Sequence, residues 1–287
     1  MNIKEPASMP ISLFGSTGVS VTRVGLGGEG VLRTHGREEE ARMVIEKALE
    51  LGIGYYDTAP AYSGSEDYLG SVWKSGKLDR NAIFQTSKSA SRDYAGAMRD
   101  LRETLAKLGT DHLDLWQIHD VRTMGDLAKI GGPGGALQAF IEARESGLVR
   151  HIGVTGHHDP EVLTRCVQQW PLDSVLLPVN PVEGVLGGFL TETLPAAKTK
   201  GMAVIAMKVL GGGHYLVPEQ NLTASIYLRY ALSQPVEVVI VGCSTPAEVE
   251  ELAQAAQSFV PMSQEEQQAL LDAFRPQARR LAFYRGR

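Results

Sequence analysis

Asp57, Tyr62, Lys88 and His119 are four side chains whose types could together move a proton. A free tyrosine is a poor acid, with an ordinary pKa of about 10, and donates usefully only where its phenolate is stabilised. An ammonium such as Lys88 would do that. A partly buried lysine tends to lose its charge, so a carboxylate such as Asp57 is needed to keep it protonated. His119 could hydrogen-bond a substrate carbonyl oxygen and set it beside the phenol. Asp57 and Tyr62 share the stretch YYDTAPAYSGSEDYLG, residues 55–70, which begins as a strand and breaks at Pro60 and Gly64 before a helix. Taken singly, each has an ordinary explanation: a turn acceptor, a surface aromatic, a solvated rim charge and a strand-end histidine.

The elements that would bring them together recur along the chain. Apolar runs read as buried strands at VGLG (24), YYDTA (55), AIFQTS (82), LDLWQIH (113), HIGVTG (151), SVLLPVN (174), MAVIAM (202) and VEVVIVG (236). Helical periods lie between them, as in Ala41, Val44, Ile45, Ala48 and Leu49 ahead of Gly52, or Met98, Leu101, Leu105 and Leu108 ahead of Gly109. Each parallel return needs a crossover long enough for a helix, so eight such units predict a closed (β/α)8 barrel. A doubly wound open sheet is the competing architecture. Its glycine fingerprint is matched by GLGGEG, Gly25 to Gly30, but the next helix begins only near Arg37, so these glycines read as a tight strand-to-loop junction. In a barrel the carboxyl ends of all strands converge on one face. The polar residues delivered there are Asp57, Tyr62, Lys88, His119, Thr155 with His157 and His158, Asn180 and Lys208.

Bulk properties exclude other classes. The 287 residues are 43% hydrophobic and 21% charged, ordinary for a globular protein, and the net charge of −5 gives no general affinity for nucleic acid. Cys166 and Cys243 form neither a disulfide framework nor a metal set, and His157 with His158 lacks a third ligand at metal-like spacing, so no metal is expected. The opening MNIKEPASMP has no apolar core of signal length and no stretch offers eighteen uninterrupted apolar residues, so a cytoplasmic protein without a membrane partner is expected.

Three segments carry a resemblance. Asp57-Thr58-Ala59-Pro60-Ala61-Tyr62, Gln85-Thr86-Ser87-Lys88 and Leu113-Asp114-Leu115-Trp116-Gln117-Ile118-His119 resemble, in order, the strand-two, lysine and histidine motifs of the aldo-keto reductases. Gly15 to Ser20 is similar to that family's amino-terminal hairpin, which closes the barrel floor, and Arg150 to Thr155 to its fifth strand. The likeness spans about residues 11 to 260. It implies one barrel over residues 1–287, with a carboxyl-terminal helix and basic tail from about 261. It also implies an NAD(P)(H)-dependent oxidoreductase of aldehydes, ketones, sugars or alcohols, with Tyr62 as general acid, Lys88 and Asp57 tuning it and His119 orienting the substrate.

The same resemblance places NADP or NAD across the barrel mouth. Thr155 stands where serine is common, but Gly156 replaces asparagine, leucine replaces glutamine near Leu176 or Leu177, and Met207 replaces a stacking tyrosine. Candidate cofactor contacts are Gly27, Thr155, Asn180, Met207 and Lys208, the glycine run from Gly211, and Gly242, Ser244, Thr245 and Glu248 in the last unit. Thr245, Pro246 and Glu248 read as a capping box. No Lys or Arg occurs from Val236 through Phe274, so the family favours NADP while the local charge favours NAD. The segments DVRTMGDLAKIGGPGGALQ and GGGHYLVPEQN read as long loops walling the pocket. The tail after Asp272, with five arginines and no acid, could fold back over the mouth, contact an anionic partner or fray in solvent, and solvent or a subunit contact is the expectation. Two alternatives stay open: a Schiff-base lyase using Lys88 or Lys208, and a cofactor-binding module with little turnover.

Overall fold

The computed structural model describes residues 8–76, 79–217, 219 and 221–286; Pro218 and Gln220 of the GGGHYLVPEQN segment, most of the opening residues and Arg287 lie outside. Strands β1 (Ile11–Leu13) and β2 (Ser20–Thr22) form an antiparallel hairpin. Eight parallel strands then close a barrel: β3 (Val24–Leu26), β4 (Tyr55–Tyr56), β5 (Phe84–Ser89), β6 (Leu113–Ile118), β7 (Val149–Thr155), β8 (Ser174–Pro178), β9 (Ala203–Met207) and β10 (Val238–Val241). Pairing runs in sequence order, and β10 returns to β3 through Ile240 opposite Gly25. The glycine-rich GLGGEG therefore opens a (β/α)8 barrel, and the open-sheet alternative falls.

Helices α1 (Glu38–Glu50), α2 (Ser65–Trp73), α3 (Tyr94–Leu108), α4 (Met124–Gly131), α5 (Ala136–Glu145) and α6 (Pro160–Gln169) cover the first half. The second half carries α7 (Pro181–Leu186), α8 (Leu194–Thr199), α9 (Ala224–Leu232), α10 (Pro246–Gln257) and α11 (Gln264–Phe274). Gly109 ends α3 at φ 68°, a left-handed conformation that glycine adopts without the Cβ penalty. The segment read as a long loop after β6 instead folds α4, because Thr123 and Asp126 cap its first turn reciprocally.

Strand alternation fixes what faces inward. On β5, Phe84, Thr86 and Lys88 share one face, and on β6 Leu115 and Gln117 do so with His119 just beyond. Leu115 joins the barrel interior with Tyr55, Phe84 and Ile205, while its neighbour Trp116 turns outward and stacks on Phe140 of α5 with ring centroids 3.6 Å apart. Phe14 of the hairpin turn is fully buried in that interior, and Ser16 N donates to Gly201 O ahead of β9, so the hairpin seals the amino-end floor. Apolar at the bottom and polar at the top, the two strands lift Lys88 and His119 to the open mouth.

The tail does not extend into solvent. Tyr284 donates its hydroxyl to Glu183 at 2.8 Å and accepts from Asn180 Nδ2 at 2.9 Å, Arg285 pairs with the buried Glu183, and Gly286 N donates to His158 O. It is folded back over the loops after β7 and β8. This is the fold-back course rather than the expected solvent or subunit contact, and its partners Glu183 and Asn180 lie about a hundred residues upstream, where nothing local points to them.

Candidate active site

Asp57 follows β4, and its amide donates to Leu26 O, which continues the ladder past the last strand residue. The carboxylate is buried with Lys88: Nζ donates to Asp57 Oδ2 at 2.6 Å and to Thr58 O at 2.8 Å. Thr86 donates to the other oxygen at 2.9 Å and Gln117 approaches it at 3.4 Å. Burial alone pulls the Lys88 pKa down, and Asp57 opposes that.

Tyr62 sits in the turn before α2, which is tied by Tyr62 N to Ala59 O and Ser65 N to Tyr62 O. Its ring lies over Gly28, where a Cβ would come within 2.8 Å of Tyr62 Cδ2, so the third glycine of GLGGEG is there to admit the ring. Lys88 Nζ lies 4.6 Å from that ring's centroid, and the His119 ring meets it edge-on at 5.6 Å. Sequence reasoning expects Lys88 to ease ionisation of the phenol. Here Asp57 neutralises the ammonium, while burial first, then Asp57 and Glu29, push Tyr62 well above the tyrosine range against Arg33. Tyr62 thus keeps its proton through neutral pH. His119 is held neutral, pushed down to about 3 by burial and then by Lys88.

These groups line a cleft of about 210 Å³. Ala61, Leu176 and Met207 give it a small apolar share, and Thr155, His157 and Lys208 form its far wall. Sequence reasoning missed four lining residues: Glu29, Arg33, Asp120 and Arg122. Glu29 and Arg33 pair at 2.8 Å across one helical turn, a spacing visible in GEGVLR. Asp120 and Arg122 pair at 2.6 Å directly after His119. Among the described residues other than glycine, positive φ occurs at Ser63, Asp120, Lys208 and Asn221, and the first three adjoin or line this cleft. Such strain concentrates where surrounding structure over-determines a site.

The proposed cofactor contacts divide differently. Thr155, Met207 and Lys208 reach the cleft. Asn180 does not: its amide donates to Lys208 O and Tyr284, and its oxygen caps α7 by accepting from Glu183 N at 3.0 Å. Gly27 and Gly242 are packing glycines, where a Cβ would come within 3.0 Å of Gly242 N and 2.6 Å of Glu29 Cβ respectively. Gly211 packs on the Tyr215 ring, but a Cβ at Gly213 would meet open space and at Gly212 only a His214 carbon at 3.9 Å. A ligand can therefore approach that backbone closely. Thr245 caps α10 by accepting from Glu248 N, while Glu248 reaches past it to accept from Ser244 N at 2.6 Å, one residue earlier than a capping box requires.

The Aldo/keto reductase family description matches residues 23–221. The chain belongs to the aldo/keto reductase family. It is accordingly an oxidoreductase of carbonyl compounds. This aldo/keto reductase is 26% identical to L-galactose dehydrogenase of Arabidopsis thaliana over 83% of its own length and 85% of that protein. It is also 26% identical to methylglyoxal reductase DkgA of Yersinia pestis over 74% and 77%. Its fold matches the holo form of aldo-keto reductase AKR11C1 from Bacillus halodurans with a TM-score of 0.76 at 22% identity, covering 92% and 96% of the two chains. Among the described residues no helix is long and apolar enough to cross a membrane, and no group of three or more His, Cys, Asp or Glu could hold a metal.

Proposed function

We propose that this chain interconverts a small carbonyl compound and its alcohol with a nicotinamide dinucleotide, and that Tyr62 is the proton donor. The carrying observation is that Tyr62, Lys88 and His119 line one cleft, with the Lys88 ammonium 4.6 Å and the His119 ring 5.6 Å from the Tyr62 ring and Asp57 buried against Lys88. The relatives named for an aldose-type sugar and for methylglyoxal are consistent with an aldehyde, ketone or sugar substrate.

The residues present fit the dinucleotide. Leu176 and Met207 offer apolar contact for a flat ring, the Thr155 hydroxyl stands beside them, and Gly212 and Gly213 leave room for a phosphate near the backbone. When bound, that cofactor supplies or accepts a hydride. The chain's own residues handle the oxygen. Neutral His119 presents one N–H to the substrate oxygen and holds it near Tyr62. As negative charge grows on that oxygen it becomes a far stronger base than the phenolate, and the Tyr62 hydroxyl proton moves to it. Lys88, fixed by Asp57 against the Tyr62 ring, holds that ring in place beside the substrate oxygen. In the alcohol-to-carbonyl direction the same atoms run in reverse.

Cofactor choice follows from α10. Glu248 occupies the amide of Ser244 and would face a 2′-phosphate with like charge, so NAD(H) should bind at least as tightly as NADP(H). Three tail arginines that could have compensated are engaged elsewhere: Arg275 with Asp272, Arg280 with Gln277 and Arg285 with Glu183. The Schiff-base alternative has no support at Lys88, whose ammonium is buried in an ion pair.

The test is oxidation of NADH and NADPH against a panel of aldehydes, ketones and aldoses, with Tyr62→Phe alongside. Turnover in the native chain should fall at least about a hundredfold in the variant, with cofactor affinity nearly unchanged. Near-normal turnover in Tyr62→Phe would remove the tyrosine from the mechanism, and cofactor binding without turnover on any substrate would favour a binding module.

A further inference from the structure

Four cations line the cleft, and three bring their own carboxylate. Arg33 pairs with Glu29 at 2.8 Å, Lys88 with Asp57 at 2.6 Å and Arg122 with Asp120 at 2.6 Å. Lys208 is the fourth. Among the described residues its Nζ has neither an ion-pair nor a hydrogen-bond partner. It is half-buried at the carboxyl end of β9, with its backbone at φ 55° and its carbonyl pinned by Asn180 Nδ2 at 3.0 Å. A lysine has no steric reason to occupy the left-handed region, so the surrounding structure holds it there. Its charge is felt inside the cleft, since Lys208 is among the groups that hold His157 below the usual histidine range, after burial and against Asp120.

We propose that Lys208 is an anion anchor for the substrate, and that the substrate of this enzyme carries a carboxylate a few atoms from its reacting carbonyl. The inference rests on the carbonyl-oxidoreductase reading and adds a substrate class to it. Tyr62, His119 and Lys208 line the same cleft of about 210 Å³, so a molecule whose carbonyl oxygen meets the first two has room for only a short spacer before the ammonium. The paired arginines are already neutralised and offer an incoming anion little net charge. An uncompensated ammonium in a partly buried cleft gives a charge-assisted hydrogen bond of the stronger kind. A short oxo acid or an aldehydic sugar acid has the required shape.

The test compares succinic semialdehyde with butanal, matched in chain length and differing in the carboxylate, using the full chain, Lys208→Met and Lys208→Arg. The ratio of kcat/KM for the anionic over the neutral aldehyde should exceed about ten in the native chain and fall about tenfold or more in Lys208→Met. Lys208→Arg should recover most of the ratio, and the native ratio should decline as salt is raised. Calorimetry with succinate and succinamide, with and without cofactor, reads the same preference without turnover, so an inactive preparation still tests the anchor. Equal losses for both aldehydes would overturn the proposal. So would succinate binding no tighter than succinamide, or a Lys208→Met defect confined to cofactor affinity, which would assign the lysine to a cofactor phosphate.

Discussion

Asp57 and Lys88 meet at 2.6 Å inside the barrel wall, with Lys88 lining the cleft, whereas Asn180, Thr245 and Glu248 spend side-chain atoms on backbone amides at the starts of helices. Both groups stand at or just beyond carboxyl ends of strands, and both were candidates for the same reaction. They differ in what holds them. The wall from β4 to β6 is built from side chains that bind side chains, so residue type and spacing specify it. The wall from β7 to β10 is built from caps, packing glycines and a tail that returns from the far end. Residue type says little there, because a serine, asparagine or glutamate can satisfy a helix terminus and a ligand with the same atoms.

The sharpest way to break this comparison is at the buried pair. Lys88→Met leaves the Asp57 carboxylate with a threonine hydroxyl and a distant glutamine amide, in a site 1% exposed. The expected cost is about 3–5 kcal/mol of stability, together with a loss of activity at least as large as that of Tyr62→Phe. The double change Lys88→Met with Asp57→Asn removes both charges and should recover most of the stability, measured by denaturant unfolding, without recovering turnover. Recovery of turnover as well would mean that the pair only holds the barrel wall together.

The fold was legible to a greater depth than the site. All eight barrel strands lie where short apolar runs alternate with helical periods, since a strand buried on both faces must be apolar whatever it later binds. Leu115, Gln117 and His119 show why the first half of the site followed: an inward period of two converts sequence spacing directly into height along the barrel. Asp120 and Arg122 were missed because a carboxylate and a guanidinium two residues apart on a loop read as ordinary surface. The α4 helix was missed because the glycines from Gly131 to Gly135 masked the Thr123 and Asp126 cap. Tyr284 and Arg285 could not be placed at all, since nothing local pairs them with Glu183.

That distant contact gives the next test, on the region where the backbone dominates. Glu183 is fully buried, and burial raises its pKa while Arg285 and Tyr284 oppose the rise. A carboxyl whose folded pKa lies above its unfolded value contributes stability at low pH that is lost as pH rises through the folded pKa. Arg285→Met removes an opposing charge and lifts the folded pKa further. Its destabilisation should therefore be small near pH 5 and grow toward pH 8, reaching about 1.5–3 kcal/mol, the range for a hydrogen bond to a charged group. Thermal unfolding of native and variant chains at both values checks the sign. A penalty that is constant or larger at pH 5 would show that the tail is held by packing of Tyr284 rather than by the Glu183 charge.

The smallest expected effect concerns Glu248, and it asks whether a capping residue also selects a ligand. Its carboxylate accepts from Ser244 N at 2.6 Å and so occupies an amide at the start of α10 that an anion would otherwise use. A 2′-phosphate carries nearly two negative charges at neutral pH, and binding it here requires either displacing Glu248 or enduring its repulsion. A ribose hydroxyl requires neither. Glu248→Arg frees the amide and supplies a cation, and it should shift the ratio of dissociation constants toward NADPH by about tenfold, or about 1.4 kcal/mol, at the low end for a charge-assisted contact. Among the described residues Arg279 is the tail arginine whose side chain has neither an ion pair nor a hydrogen bond, so Arg279→Ala belongs beside it. Fluorescence titration with both reduced cofactors gives the numbers. If the native chain and Arg279→Ala both bind NADPH tenfold more tightly than NADH, a different cation clamps the phosphate and Glu248 is a cap alone. If NADH binds at least as tightly in both and the preference turns in Glu248→Arg, the same carboxylate that starts α10 also chooses the cofactor.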